Sequence, residues 1–538
     1  MMAGDRGPLT AGDRGPLTAD PPAWVRDAVF YQIFPDRFAR SARVAAPGPH
    51  EAWDAPPTGH GFKGGDLLGI VEHLDELADL GVTALYLTPV FSSASNHRYH
   101  TYDYLAVDPL LGGTPALREL VDAVHARGMR IVLDGVFNHT GRGFWPFHHV
   151  LENGLASPYA SWFHLDRERL AAGRGLDAYP DRAAPRADGT ANAQAHGGGA
   201  TSIEQLGYRA WWDMPALPKL NTDDPGVREY LWSVATHWLA FGIDGWRLDV
   251  PAEIEDEAFW QEFRRRCRAV NPEAYLVGEI WDVAPEWVRG DRFDALMNYP
   301  LLEALLGFVG GPSLDTALVA SHHELSTHVR PSDAATFASS VLAQAAAYAP
   351  GTVASQLNLL SSHDMPRVRT LLSGDVAAVR LAVMLQMTLP GAPCVYYGDE
   401  IGLEGGNDPD CRRSFPVGAA GRDEALRATF RDLIALRRGH PALRADGLRV
   451  AGAAGACVAL LRGGAGDPTS GGETLVVVVN AGTEPTTIEL AIPELAGQRL
   501  VALGVAGLPA GAPVDVAGDG TASVEAAARS GIVLSAVG

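Results

Sequence analysis

Lysine is almost missing from this chain of 538 residues. Lys63 and Lys219 are the only two, and every other fixed cation is an arginine. A high-GC coding bias accounts for the exchange, and it makes the two surviving lysines worth placing. Cysteine is scarce as well. Cys267, Cys394, Cys411 and Cys457 stand far apart without metal-ligand spacing, which excludes a disulfide framework and points to reduced thiols. No apolar run is long enough to span a bilayer. Positive charge is in deficit, with a formal net charge of −21. That balance argues against nucleic acid and anionic membrane surfaces as partners, and it leaves neutral ligands unaffected. Residues 1–22 lack the apolar core of a secretion signal. They carry Ala-Gly-Asp-Arg-Gly-Pro-Leu-Thr twice, at 3–10 and 11–18, and read as a disordered tail on a cytoplasmic protein.

What is present is globular. The chain is 47% hydrophobic and long enough for two to four structural units. From residue 23 to 440 short apolar runs alternate with helical periodicity. The candidate strands are Ala28 to Pro35, Ala84 to Val90, Arg130 to Phe137, Gly245 to Val250, Tyr275 to Ile280, Asp294 to Tyr299, Leu357 to Asp364 and Cys394 to Glu400. Near-continuous apolar runs suit strands buried on both faces of a parallel sheet. Thr114-Pro115 reads as a helix start, with Leu117, Leu120, Val121 and Val124 as its core stripe and Gly128 as its end. Asp224-Pro225 opens a second helix ending at Gly242, and Phe259, Phe263, Cys267 and Val270 form the stripe of a third. Eight strands alternating with helices predict a (β/α)8 TIM barrel. An open doubly wound sheet would place a Gly-rich phosphate loop after the first strand, where this chain has Asp36-Arg37-Phe38. The expected layout is a barrel over 23–139 and 214–440, a small subdomain over 140–213 inserted after strand three, and a C-terminal antiparallel β-sandwich over 441–538.

Barrel chemistry sits at the C-terminal strand ends. Strand three ends at Asp134 to His139, strand four at Arg247-Leu-Asp249, strand five at Gly278-Glu279-Ile280-Trp281, and strand seven at His363-Asp364. Each group alone reads as a surface ion pair or a structural hydrogen bond. Four of them at four strand ends read as a site. Carboxylates at two ends suit glycoside hydrolysis with retention, which needs one ionised nucleophile and one protonated acid. Arg247 and Asp249 share a strand face, so the guanidinium is expected to keep Asp249 ionised. Glu279, beside Ile280 and Trp281, is the better proton holder. His139 and His363 suit neutral hydrogen bonds to sugar hydroxyls.

Those four segments, with Gly391 to Gly398 at strand eight, resemble the α-amylase family, glycoside hydrolase family 13, over about residues 24 to 535. The resemblance implies Asp249 as nucleophile, Glu279 as general acid/base and Asp364 as the carboxylate that binds and distorts the sugar. It places Arg247, His139 and His363 around that sugar, Tyr99 stacked beneath it and Trp281 as a platform beyond the cleaved bond. Leu217-Pro-Lys219-Leu-Asn221 is similar to a signature of the neopullulanase and cyclomaltodextrinase group, and Glu253 stands where that group has an acceptor-side glutamate. Asn407-Asp408-Pro-Asp410-Cys-Arg412 resembles its grip on the non-reducing side. The substrate implied is an α-glucan: maltooligosaccharide, cyclodextrin or pullulan fragment. No cofactor is required by this chemistry.

The group usually carries an N-terminal β-domain, whereas here the barrel is expected to start almost at once, which leaves monomer and homodimer equally open. The calcium loop that often follows Asp-Arg-Phe is replaced by Ala-Arg-Ser-Ala-Arg, which offers no carboxylates. Two other readings stand beside hydrolysis: a transglycosylase or isomerase of the trehalose synthase type, and a sugar-binding barrel without catalysis.

Overall fold

The computed structural model describes residues 20–45, 47–180, 201–418, 420–464 and 469–537. The N-terminal repeat and the Gly-rich stretch 190–200 lie outside them. Eight short parallel strands form the central sheet: β1 (Phe30–Ile33), β2 (Ala84–Leu87), β3 (Arg130–Gly135), β4 (Gly245–Leu248), β5 (Tyr275–Gly278), β6 (Ala295–Leu296), β7 (Leu357–Leu359) and β8 (Ala392–Tyr396). Their order is β6-β5-β4-β3-β2-β1-β8-β7. A parallel bridge between Met297 and Leu357 joins the two ends, with Asn298 N–H donating to Leu357 O at 2.8 Å, and the sheet closes as a (β/α)8 barrel. Packing at the barrel axis is tight: a Cβ on Gly245 would lie 2.2 Å from the Tyr275 carbonyl, so the first residue of β4 has no room for a side chain.

Helices cover the barrel as their apolar stripes require. In α1 (Gly113–Ala126) Leu117, Leu120, Val121 and Val124 are buried. The N-cap of α1 is Gly112, not Thr114, and no side chain caps it; the preceding turn is instead fixed by Asp108, whose carboxylate accepts the Leu110 N–H. In α2 (Pro225–Phe241) Asp224 accepts the Gly226 and Val227 N–H groups and Gly242 ends the helix, as the sequence implies. In α3 (Glu257–Val270) Phe259, Phe263 and Cys267 are buried. Val270 is 41% exposed, because it is the last residue of the helix, where the core-facing stripe has run out.

The strands are shorter than their apolar runs. β4 stops at Leu248, β5 at Gly278 and β7 at Leu359. Asp249, Glu279, His363 and Asp364 therefore sit on the loops just beyond the ladder, where the backbone is free to turn side chains into the mouth.

Between β3 and β4 the chain leaves the barrel to form short helices such as Trp145–Asn153 and Ser202–Leu206. It returns through antiparallel bridges pairing Leu165 with Tyr208, Ala210 with Pro218 and His139 with Lys219. Beyond the barrel lie two antiparallel sheets. One has six strands, including Cys457–Gly463, Thr474–Asn480 and Ser530–Val537; the other pairs Thr486–Ala491 with Thr521–Ala526. A separate apolar cluster that includes Leu461, Val476, Ile488, Val524 and Leu534 fills the space between them, which makes this unit a sandwich.

Lys63 fixes one wall of the barrel mouth. Its side chain is fully buried, and Nζ donates to the carbonyls of Ala52 at 2.5 Å and Ala55 at 2.7 Å and pairs with Glu51 at 3.4 Å. Its backbone N–H and that of Gly64 donate to Asp36, which also pairs with Arg37. The residues after Asp36-Arg37-Phe38 do not fit a calcium ion. The Asp36 carboxylate is spent on backbone N–H groups and a guanidinium, and the carbonyl oxygens nearby surround an ammonium. Lys63→Met should cost about 2–4 kcal/mol, since it strips a buried charge from three acceptors. The loss should appear in denaturant unfolding and as faster proteolysis within residues 48–62. Unchanged protection of that loop would contradict the role given to the ammonium.

Candidate active site

The mouth is organised around one guanidinium. Arg247 is wholly buried. Its Nη1 lies 2.9 Å from Asp134 Oδ1 and 2.9 Å from Asp249 Oδ1, and its Nη2 lies 2.9 Å from Glu279 Oε2. A planar fork with two terminal nitrogens can hold carboxylates from three neighbouring strands at fixed angles, which a lysine cannot. Asp134, Arg247 and Asp249 face the same space because strand residues two apart point the same way and Asp134 is in register with Arg247.

Burial pushes Asp134 up to about 6, with Arg247 pulling the other way. Burial also raises Asp249 and Glu279 above the ordinary carboxylate range, again against the pull of Arg247. Arg247 does not act on Asp249 alone. Glu279 folds back to the same guanidinium and also accepts the Val250 N–H at 3.0 Å. What distinguishes Asp249 is its second oxygen: Oδ2 is buried and has no hydrogen-bond partner, whereas Oδ1 is held. Val250 delivers its N–H from a left-handed backbone (φ 35°), an unfavourable conformation for a β-branched residue.

A second chain of contacts leads from this centre to β1, β7 and β8. Gln32 Nε2 donates to His363 Nδ1 at 2.8 Å, which leaves the proton on Nε2. That nitrogen faces the Tyr99 hydroxyl and, at 3.0 Å, Asp364 Oδ2. The Tyr99 hydroxyl donates to Asp134 Oδ2 at 2.8 Å, and so does that of Tyr86. The Tyr99 and His363 rings lie parallel, 5.3 Å apart. Burial holds His363 well below the usual histidine range, so it is a neutral hydrogen-bonding group. Arg412 donates to His363 O at 2.7 Å, reaches Asp364 Oδ1 at 3.4 Å and pairs with Asp408 at 2.9 Å.

Opposite, at β3 and β4, His139 is buried and stacks on Trp211 at 4.8 Å and 5°. Burial pushes it down to about 3, and its Nε2 has no partner. Lys219 Nζ lies 2.7 Å from Glu253 Oε2 and 3.0 Å from Glu253 O. Trp281 stacks face to face on Tyr299 at 3.6 Å, so one of its two faces is taken by the protein.

Contacts thus join Arg247, Asp249 and Glu279 to Tyr99, His363, Asp364, Arg412 and Asp408, and bring His139, Lys219 and Glu253 together where the insertion returns, while Trp281 packs on Tyr299. Asp134, Gln32, Tyr86, Tyr299 and Val250 were not singled out. Gln32 and Tyr86 left one trace, a polar group inside an otherwise apolar strand. The backbone of Val250 left none. Among the described residues no group of three or more His, Cys, Asp or Glu is arranged to hold a metal ion, and no helix is long and apolar enough to cross a membrane.

The model of the α-amylase catalytic domain matches residues 32–433. A cyclomaltodextrinase of Geobacillus thermopakistaniensis is 40% identical over 486 residues, covering 90% of this chain and 73% of its own. Neopullulanase 2 of Thermoactinomyces vulgaris is 39% identical over 482 residues, covering 89% and 73%. The crystal structure of the Thermus thermophilus protein Ttha1563 superposes with a TM-score of 0.83 at 44% identity, covering 96% of this chain and all of that one.

Because Asp134 is raised to about 6, its protonated form belongs to the fold. The stability it contributes is complete below its ordinary value near pH 4 and is lost as the pH rises through about 6. Arg247→Leu removes the cation that opposes this loss and lifts all three carboxyls further. The variant should be destabilised by about 3–5 kcal/mol at pH 8 and by clearly less at pH 5. Thermal unfolding at the two pH values checks it, and an equal loss at both would contradict a guanidinium shared by three acids.

Proposed function

This chain belongs to the α-amylase family of glycoside hydrolases, and on that basis we propose that it cleaves α-glucosidic bonds with retention. The substrates proposed are maltooligosaccharides, cyclodextrins or pullulan-type glucans, handled inside the cell. The observation that carries the reading is the pair Asp249 and Glu279 bridged by Arg247, with Asp249 Oδ2 left without a partner.

When a glucan enters, Glu279 releases the guanidinium, and its carboxyl proton passes to the glycosidic oxygen as that oxygen leaves. Asp249 Oδ2 attacks the anomeric carbon, and a glycosyl ester forms as the C–O bond breaks. The Glu279 carboxylate then takes a proton from water, whose oxygen attacks the same carbon and expels Asp249 as carboxylate. Two inversions give net retention. Arg247 stays against the departing carboxylate throughout, which limits the build-up of uncompensated charge. Asp364, backed by His363 and Arg412, accepts hydroxyls of the sugar being cleaved. Tyr99 packs beneath that sugar, and Asp408 holds the unit before it. Lys219, Glu253 and Trp281 meet the portion that leaves. The relatives named cyclomaltodextrinase and neopullulanase support the choice of substrates.

Asp249→Asn and Glu279→Gln should each lower kcat by at least about 10²–10⁴-fold while leaving the circular dichroism unchanged. Asp249→Asn with near-normal turnover would overturn the mechanism. Wild-type protein given maltotriose, γ-cyclodextrin and pullulan should release fresh α-anomers, read by chromatography and anomeric NMR. Fresh β-anomers would overturn retention, and transfer products in place of hydrolysis would move the assignment to a transglycosylase.

A further inference from the structure

β1 carries an amide where its neighbours are apolar or aromatic. Phe30, Tyr31, Gln32 and Ile33 are all buried, and Gln32 is 1% exposed. Methionine would fill the same length of side chain with no hydrogen bonds to replace, whereas an unmatched buried amide is destabilising. The strand itself asks nothing of that amide. Gln32 O accepts the Tyr397 N–H at 2.9 Å, and the residue is in register with Tyr86 on β2 and Tyr396 on β8. The side chain is directed instead at one atom, His363 Nδ1, 2.8 Å away.

The direction of that bond follows from the opposite edge of the ring. His363 Nε2 faces two oxygens, the Tyr99 hydroxyl and Asp364 Oδ2. Tyr99 has one hydroxyl proton, and it goes to Asp134 Oδ2 at 2.8 Å. Towards His363 that hydroxyl therefore accepts, as does the carboxylate oxygen. The imidazole proton sits on Nε2. Burial, with Arg247 and Arg412 nearby, opposes a second proton, so Nδ1 is a bare acceptor that needs a donor. The amide nitrogen of Gln32 supplies it. The His363 backbone is fixed separately: Arg412 and the Cys411 thiol donate to its carbonyl at 2.7 Å and 3.3 Å. Asp364, with a side chain 32% exposed, is less enclosed than His363 and takes its orientation from these polar partners, Nε2 at 3.0 Å and Arg412 at 3.4 Å.

We propose that Gln32 is a positioning residue for the sugar-binding carboxylate: its amide holds His363 in the rotation and tautomer that present Nε2–H to Asp364. The proposal rests on the hydrolase reading above, in which Asp364 accepts hydroxyls of the sugar being cleaved. Gln32 acts through the imidazole, which keeps the carboxylate oriented before the sugar arrives.

Gln32→Met keeps the side-chain length and removes the donor. On maltotriose the variant should lose about 10–100-fold, chiefly in kcat, as when an outer partner that orients a histidine is removed. In a His363→Phe background, where no Nδ1 remains to be held, the same change should cost less than twofold. Additive losses would overturn the proposal. Protein labelled with ¹⁵N-histidine gives a readout independent of turnover, with the His363 signals identified by their loss in His363→Phe. The wild type at pH 7 should show the proton on Nε2, and in Gln32→Met the Nδ1 resonance should move towards that of an unbonded nitrogen. A proton on Nδ1 in the wild type, or an unmoved Nδ1 resonance in Gln32→Met, would overturn the hold on the ring. Should wild-type protein cleave no glucan, the hydrolase reading fails, and the spectra alone decide whether Gln32 positions His363.

Discussion

The buried guanidinium of Arg247 is the interaction on which the mouth of the barrel depends. Three carboxyls from three strands converge on it, and without a central cation their mutual repulsion and desolvation would drive the strand ends apart. The same contact organises structure and reactivity. It holds Asp249 by one oxygen so that the other stays available. It also ties the β7–β8 side to β3 through Asp134, Tyr99 and His363. The Cys411 carbonyl accepts from Arg367, whose other nitrogen pairs with Asp399 after β8, so the loop carrying Arg412 is anchored by a second buried guanidinium. The mouth is thus a set of loops clamped by buried cations.

Much of this was legible in the sequence because barrel strands buried on both faces appear as apolar runs. Polar residues at their ends therefore stand out. Asp249, Glu279, His363 and Asp364 were found that way, although they sit past the strands in loops. Asp224 and Gly242 bounded α2 through capping chemistry that is local and hence readable. The Thr114-Pro115 signal failed because a tight turn at Asp108 and Gly112 had already set the start of α1. Spacing along a strand reveals Arg247 beside Asp249, but neither the burial that raises both Asp249 and Glu279 nor Glu279 folding onto the other terminal nitrogen of the same guanidinium. The strain at Val250 was invisible, since φ is set by tertiary contacts and not by residue type.

The insertion between β3 and β4 adds side chains at the rim of the mouth without altering the ion-paired centre. Its return path runs as bridges alongside His139 and Lys219, so residues far along the chain are delivered to the edge of the barrel mouth. The polar pair Lys219–Glu253 spans that junction, one partner from the insertion's return and the other from the loop after β4.

The placement of the two lysines has a chemical consequence. Lys63 is fully enclosed and Lys219 is 6% exposed, each beside a glutamate. Every other basic side chain that could meet an aldehyde is an arginine or a histidine. Reducing sugars present open-chain aldehydes, which condense readily with unprotonated primary amines. On this surface both lysine amines are hidden. In the folded form both lysine side chains are therefore intrinsically slow to glycate, and amine-directed dyes or resins would find them shielded until the protein unfolds.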